Sequence, residues 1–158
     1  MFVKSKVIKY GDNINTDVIY PGRYLEIIEA EEMAKHAMED LDKNFHEKVK
    51  EAKIIVAGKN FGCGSSREQA AICLKYAGIE AIVAKSFARI FFRNAINNGI
   101  VAIEFDKVDE INEGDEIEID LEKGRIRSKI KDYKIKPMPS FILDIIKAGG
   151  LIEYVRRR

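Results

Sequence analysis

Three short apolar runs, Lys53–Ala57, Ala81–Ala84 and Ile100–Phe105, stand in mid-chain with a helical pattern between each consecutive pair. After its leading lysine the first run does not alternate, and the second is apolar throughout, which marks strands covered on both faces. From Ser66 to Ala77, Ala70, Ala71, Leu74 and Ala77 share one helical face, and Gly78 suits a left-handed C-terminal cap. From Phe87 to Asn97 a second helix is expected, closed by Gly99. Strand, helix, strand, helix, strand requires right-handed crossovers and therefore a parallel sheet.

The flanks differ. Val3–Tyr10 alternates apolar and polar residues, as a half-buried strand does, and Gly11-Asp12-Asn13 breaks it. Thr16–Tyr20 follows, stopped by Pro21-Gly22; residues 22–30 read as a loop and 29–38 as a helix rich in Ala, Glu, Met and Lys. Residues 40–51 are charged around one anchor, Phe45. Beyond the parallel segment, Glu116–Leu121 alternates, Lys123-Gly124 turns, and Arg125–Ile130 and Tyr133–Ile135 extend an antiparallel set. Pro137-Met138-Pro139 ends it, Phe141–Ala148 forms a last helix capped by Gly149-Gly150, and the tail finishes with Arg156, Arg157 and Arg158. No linker separates the halves, so residues 1–158 are expected to share one core: an α/β domain with a mixed, mainly parallel sheet plus antiparallel hairpins.

Composition narrows the chemistry. Lys and Arg total 27 against 26 Asp and Glu, a net charge of +1 that gives no general attraction to nucleic acid or anionic membrane. A charged ligand must therefore be caught locally. With Cys63, Cys73, His36 and His46 as the whole thiol and imidazole stock, the chain by itself lacks the ligands for a Cys/His zinc site or a four-thiolate iron–sulfur cluster. Free cysteines, no apolar leader in Met1–Lys6 and no long apolar span point to a soluble, cytoplasmic protein.

Gly62-Cys63-Gly64-Ser65-Ser66-Arg67-Glu68 is the most informative stretch. It joins a buried strand to a helix, where glycines permit close backbone approach and helix amides favour an anion. Arg67 can grip a carboxylate or phosphate through two parallel hydrogen bonds. Ser65-x-x-Glu68 is also a capping box, and local pattern alone favours that simpler role. A nucleotide-phosphate loop is disfavoured: the Gly-Lys-Ser/Thr ending is missing, and Arg67 occupies the third glycine of the dinucleotide fingerprint. The first loop, with Asp12, Asn13, Asn15, Thr16 and Asp17, is a second candidate, although Asx turns explain most of it. In the third, Lys85–Ala95, helical spacing favours a buried face of Phe87, Ile90, Phe91 and Asn94, with Arg89 and Arg93 four apart on another side.

These stretches, taken in order from Gly11 through Thr16-Asp17, Ala57–Glu68 and Lys85–Phe91 to Arg93-Asn94-Ala95 and Ala148–Leu151, resemble the swivelling domain of the aconitase superfamily. The likeness is to its stand-alone form, the isopropylmalate dehydratase small-subunit family, and spans nearly the whole chain. It implies a three-layer β/β/α domain that works with a separate large subunit, as a heterodimer or heterotetramer, the large subunit holding a [4Fe–4S] cluster. The implied reaction moves a hydroxyl between adjacent carbons by loss and re-addition of water, converting 2-isopropylmalate to 3-isopropylmalate in leucine biosynthesis. Ser65 matches the catalytic base, and Ser66 and Arg67 match substrate-binding neighbours, with Arg23 counted among the carboxylate binders; Thr16 and Asp17 match supporting residues. Substrate choice is implied to lie in Tyr24, Leu25, Glu26, Ile27 and Ile28. Glu26 opposes an additional substrate carboxylate while the isoleucines suit an alkyl group, so an alkylmalate dicarboxylate is expected. Homoaconitate, citramalate and dimethylmalate dehydratases, and a non-catalytic anion-binding module, are the alternatives.

Overall fold

The computed structural model describes residues 1–157; Arg158, expected in the basic tail, lies outside the described residues. In chain order the strands are β1 (Phe2–Lys9), β2 (Ile54–Ala57), β3 (Ala81–Ala84), β4 (Val101–Glu104), β5 (Glu116–Asp120), β6 (Arg125–Arg127) and β7 (Asp132–Lys134). The helices are α1 (Thr16–Ile19), α2 (Ala30–Ala34), α3 (Phe45–Lys48), α4 (Glu68–Ala77), α5 (Arg89–Asn97), α6 (Ser140–Ala148) and α7 (Leu151–Arg156).

All seven strands form one sheet in the order β4-β3-β2-β1-β5-β6-β7. β1 to β4 pair in parallel, whereas β1-β5, β5-β6 and β6-β7 are antiparallel. β1 serves the two halves with different residues. Phe2–Lys6 face β5, and Val7–Lys9 face β2. The chain therefore passes from one half-sheet into the other along a single strand, and the sheet curls about it. The curl brings Phe105, just past the outer strand of one half, against Tyr133 on the outer strand of the other, ring centroids 5.1 Å apart. Two β layers result. A helical layer in which α4 touches α2 and α5, and α5 touches β4, completes the expected β/β/α domain.

Burial follows the residue patterns. Every residue of β2 and of β3 is buried, as covering on both faces demands, while β1 alternates over most of its length. Phe45 is fully buried, the anchor that its charged surroundings required.

Several expected boundaries move. The helix foreseen over 29–38 stops at Ala34. Met38 adopts a φ of 60°, donates its amide to the Ile19 carbonyl and is fully buried, so tertiary docking overrides helix propensity there. Arg125–Ile130 is strand only to Arg127, because the Ser128 hydroxyl accepts from the Ile130 and Lys131 amides and turns the chain. Thr16–Ile19 coils into one helical turn under the Asn15 side chain, which accepts from the Val18 amide. Leu151–Arg156, read as tail, forms α7 against α6.

Candidate functional site

The loops that leave β1, β2 and β3 are zipped together by their own backbones. Gly58 donates to the Gly11 carbonyl, Asn13 to Lys59, Gly62 to Ile14 and Thr16 to Cys63. On the other side, Lys85 donates to Gly58, Phe61 to Ser86, and Ala88 back to Phe61. All three loops stand at carboxyl ends of parallel strands, where open α/β sheets place their ligands. The glycines make this packing possible. A Cβ at Gly58 would stand 1.8 Å from the Asp12 carboxylate, and one at Gly62 would stand 2.2 Å from the Phe91 ring, with φ already at 82°.

The zipped loops surround a cleft of about 370 Å³ lined by Thr16, Gly62, Gly64, Ser65, Ser66, Arg67, Ala88, Arg89, Ile90, Phe91 and Asn94. Ser65 and Ser66 are exposed, and no other group among the described residues hydrogen-bonds to their hydroxyls. Arg67 is aimed by its neighbours: Nη1 donates to Asp17 Oδ1 at 2.8 Å and to the Tyr20 carbonyl at 3.2 Å. Only 18% of the Arg67 side chain is exposed, against 67% for Asp17, so the arginine is the seated partner. The Arg67 guanidinium, followed by the Gly22 amide, holds the Asp17 carboxyl below its ordinary value. Thr16 Oγ1 donates to the Ser65 carbonyl at 2.6 Å and so fixes the backbone beneath the candidate base.

Two helices begin at this cleft. α4 starts at Glu68, two residues later than its sequence suggests, with Arg67 as N-cap. No side chain caps it, so the capping box of Ser65 and Glu68 does not form. Arg67 is extended there, φ −130° and ψ 111°, and Thr16 holds the Ser65 carbonyl. α5 starts at Arg89 after Ala88, also without a side-chain cap. The first turn of α5 lines the cavity and α4 reaches it through its N-cap Arg67, so two positive dipole ends stand at one cavity and favour an anion in it.

The second helix was expected from Phe87, but its place at the cleft was not, since Ala88 carries no capping signal. The expected buried face of this stretch also divides. Phe91 is buried and Phe87 and Asn94 are partly so, but Ile90 is 50% exposed at the cleft wall beside Arg89. Arg89 has no carboxylate partner among the described residues, and its recognition needs the cavity, not the spacing.

The remaining candidates lie elsewhere. Arg23 does not line the cleft; Asp40 and Glu39 take up its guanidinium at 2.6 to 2.9 Å. Tyr24, Leu25, Glu26, Ile27 and Ile28 continue from a short 3₁₀ turn at Gly22–Tyr24, with Ile28 84% exposed. The turn adjoins the site, since a Cβ on Gly22 would meet the Arg67 guanidinium at 3.4 Å.

Cys73 is fully buried and engaged with the Ala70 and Ile19 carbonyls, and burial pushes its thiol far up. Cys63 is partly buried, and no three His, Cys, Asp or Glu side chains converge among the described residues. These residues do not fit an iron–sulfur cluster.

An α/β domain with a curled mixed sheet and a serine–arginine cleft at its parallel strand ends defines a class. Residues 6–108 match the family model described as the aconitase C-terminal domain. A 3-isopropylmalate dehydratase small subunit of Thermodesulfovibrio yellowstonii is 55% identical over 161 residues, covering 100% of this chain and 96% of the relative. That of Caldicellulosiruptor saccharolyticus is 56% identical over 99% of this chain and 92% of its own. The crystal structure of a 3-isopropylmalate dehydratase from Methanocaldococcus jannaschii superposes with a TM-score of 0.92 at 49% identity, covering 100% of this chain and 95% of that one. The chain belongs to the 3-isopropylmalate dehydratase small-subunit family. No described helix is long and apolar enough to cross a membrane.

Proposed function

We propose that this chain is the small subunit of a hydro-lyase that isomerises 2-isopropylmalate to 3-isopropylmalate, acting with a large subunit that bears a [4Fe–4S] cluster. The observation that carries the reading is the open Ser65–Arg67 wall of the cleft, with its backbone held by Thr16 and its guanidinium held by Asp17. The names of the full-length relatives supply the substrate class.

Ser65 Oγ is the base that takes the proton from the carbon beside a carboxylate. A hydroxyl is a weak base, so Ser65 acts as its alkoxide, its own proton having passed to solvent; the positive dipole ends of α4 and α5 offset that charge, which passes to the substrate as Ser65 takes the proton. Arg67 grips the adjacent carboxylate, and Ser66 hydrogen-bonds beside it. Thr16 and Asp17 touch no reacting atom; they set where Ser65 and Arg67 stand. The half-exposed Ile90 gives the far wall an apolar surface that suits an alkyl branch. Glu26 in the neighbouring loop disfavours a third carboxylate. Departure of the hydroxyl is assigned to the large subunit, whose cluster would supply the Lewis acid.

Co-expression with the cognate large subunit, following the absorbance of the unsaturated intermediate, tests this. Ser65→Ala is expected to lower kcat by about 10²- to 10⁴-fold, the usual scale of a positioned acid–base group. Unchanged turnover removes Ser65 from the role. Faster turnover of homoisocitrate than of isopropylmalate removes the substrate assignment.

A further inference from the structure

The loop that borders the cleft is tied to a second turn outside it. Arg23 sets a fork on Asp40, Nη1 to Oδ2 at 2.9 Å and Nη2 to Oδ1 at 2.6 Å, and Nη2 also meets Glu39 Oε2 at 2.8 Å. The Arg23 guanidinium lies over the Tyr24 ring at 4.8 Å, and that ring stacks on His36 at 3.7 Å and 15°. His36 Nδ1 in turn stands 3.3 Å from Glu39. The receiving turn is anchored in the core: Met38 is fully buried and bonded to the Ile19 carbonyl. At the other end, Gly22 donates to Asp17, the residue that aims Arg67. An unbroken series of contacts therefore runs from Asp40 and Glu39 through Arg23 and Gly22 to Asp17 and Arg67.

We infer that Asp40 and Glu39 are positioning residues that act through Arg23, holding the Gly22–Ile28 segment against the Asp17–Arg67 pair so that the substrate meets a preset wall. Isolated exposed ion pairs contribute little, but a forked arginine with a second carboxylate and two stacked rings is the geometry in which they do. Arg23 then serves the substrate without touching it. The inference rests on the function proposed above and concerns the same site.

The test uses the complex with the large subunit and three variants of this chain: Asp40→Asn, Arg23→Gln, and the exchanged pair Arg23→Asp with Asp40→Arg. Asp40→Asn and Arg23→Gln are expected to raise KM for 2-isopropylmalate about tenfold with kcat changed less than about threefold, the signature of lost ground-state positioning. The exchanged pair is expected to recover most of that loss, and amide exchange over 22–28 is expected to quicken in the single variants only. A merely structural surface contact would lower the melting temperature without a KM change or rescue. Wild-type KM and exchange in both single variants, or no recovery in the exchanged pair, overturns the inference. If the wild-type complex turns over no isopropylmalate, the function fails instead, and exchange over 22–28 still decides the clamp.

Discussion

Ser65, Arg67 and Asp17 illustrate how far single residues explain this molecule. Ser65 is a candidate base only because Thr16 holds its carbonyl at 2.6 Å and leaves its hydroxyl in the cleft. Arg67→Lys keeps the charge but loses the second hydrogen-bonding arm toward a carboxylate, so kcat/KM is expected to fall about 10- to 100-fold in steady-state assays, about 1.4 to 2.8 kcal/mol. Asp17 sets the pH window of that arrangement. Its carboxyl is held below the ordinary 3.8 by Arg67 first and the Gly22 amide next. A folded pKa below the unfolded one means that the pairing is complete above the unfolded value and is lost as pH falls through the folded value. The aim of Arg67 should therefore persist unchanged from neutrality to about pH 4. An acid limb in kcat/KM between pH 5 and 7 that disappears in Asp17→Asn would contradict it. Ser65, Arg67 and Asp17 became candidates through the resemblance carried by Gly62–Glu68 and Thr16-Asp17, whereas local pattern alone favoured capping for Ser65 and Asx turns around Asp17. The neighbours Arg89 and Ile90 did not become candidates: the spacing of Ile90 suits a core face as well as a cavity wall, and Arg89 read only as an outward arginine in register with Arg93.

Elements set the site through their ends. The three loops after β1, β2 and β3 exchange backbone hydrogen bonds, and their close approach depends on Gly62. Gly62→Ala would put a Cβ 2.2 Å from the Phe91 ring at a φ of 82°. It is expected to cost about 2–4 kcal/mol, measured by denaturant unfolding, and to displace α5 from the cleft. Tolerance within about 0.5 kcal/mol would show that the ring moves aside freely. The element types were readable from period and burial: β2 and β3 as apolar runs, α4 and α5 between them. Their starts were not. Local signals suggest Ser66 and Phe87, whereas Arg67 and Ala88 are extended, next to bonds from Thr16 to the Ser65 carbonyl and from Ala88 to Phe61, and the helices begin only at Glu68 and Arg89. The same competition ends α2 at Ala34.

At the scale of the whole molecule, one strand joins two half-sheets of opposite habit, and the core is continuous across them. Cys73 sits in that core with its thiol proton retained, since burial opposes the thiolate. A thiol reagent at neutral pH is therefore expected to modify the partly exposed Cys63 first and Cys73 only at the rate of global unfolding. Equal labelling rates in the native protein would contradict a single cooperative core. The order of strands and helices, the parallel-to-antiparallel change of habit and the serine–arginine turn follow from the sequence itself, because periodicity, glycine placement and side-chain chemistry are local properties of the chain. The curl about β1, the meeting of two uncapped helix starts at one cavity, and the engagement of Arg23 by Asp40 and Glu39 were decided only by the tertiary structure. Each depends on groups far apart in sequence competing for the same hydrogen bonds and the same space, and no local pattern records who wins.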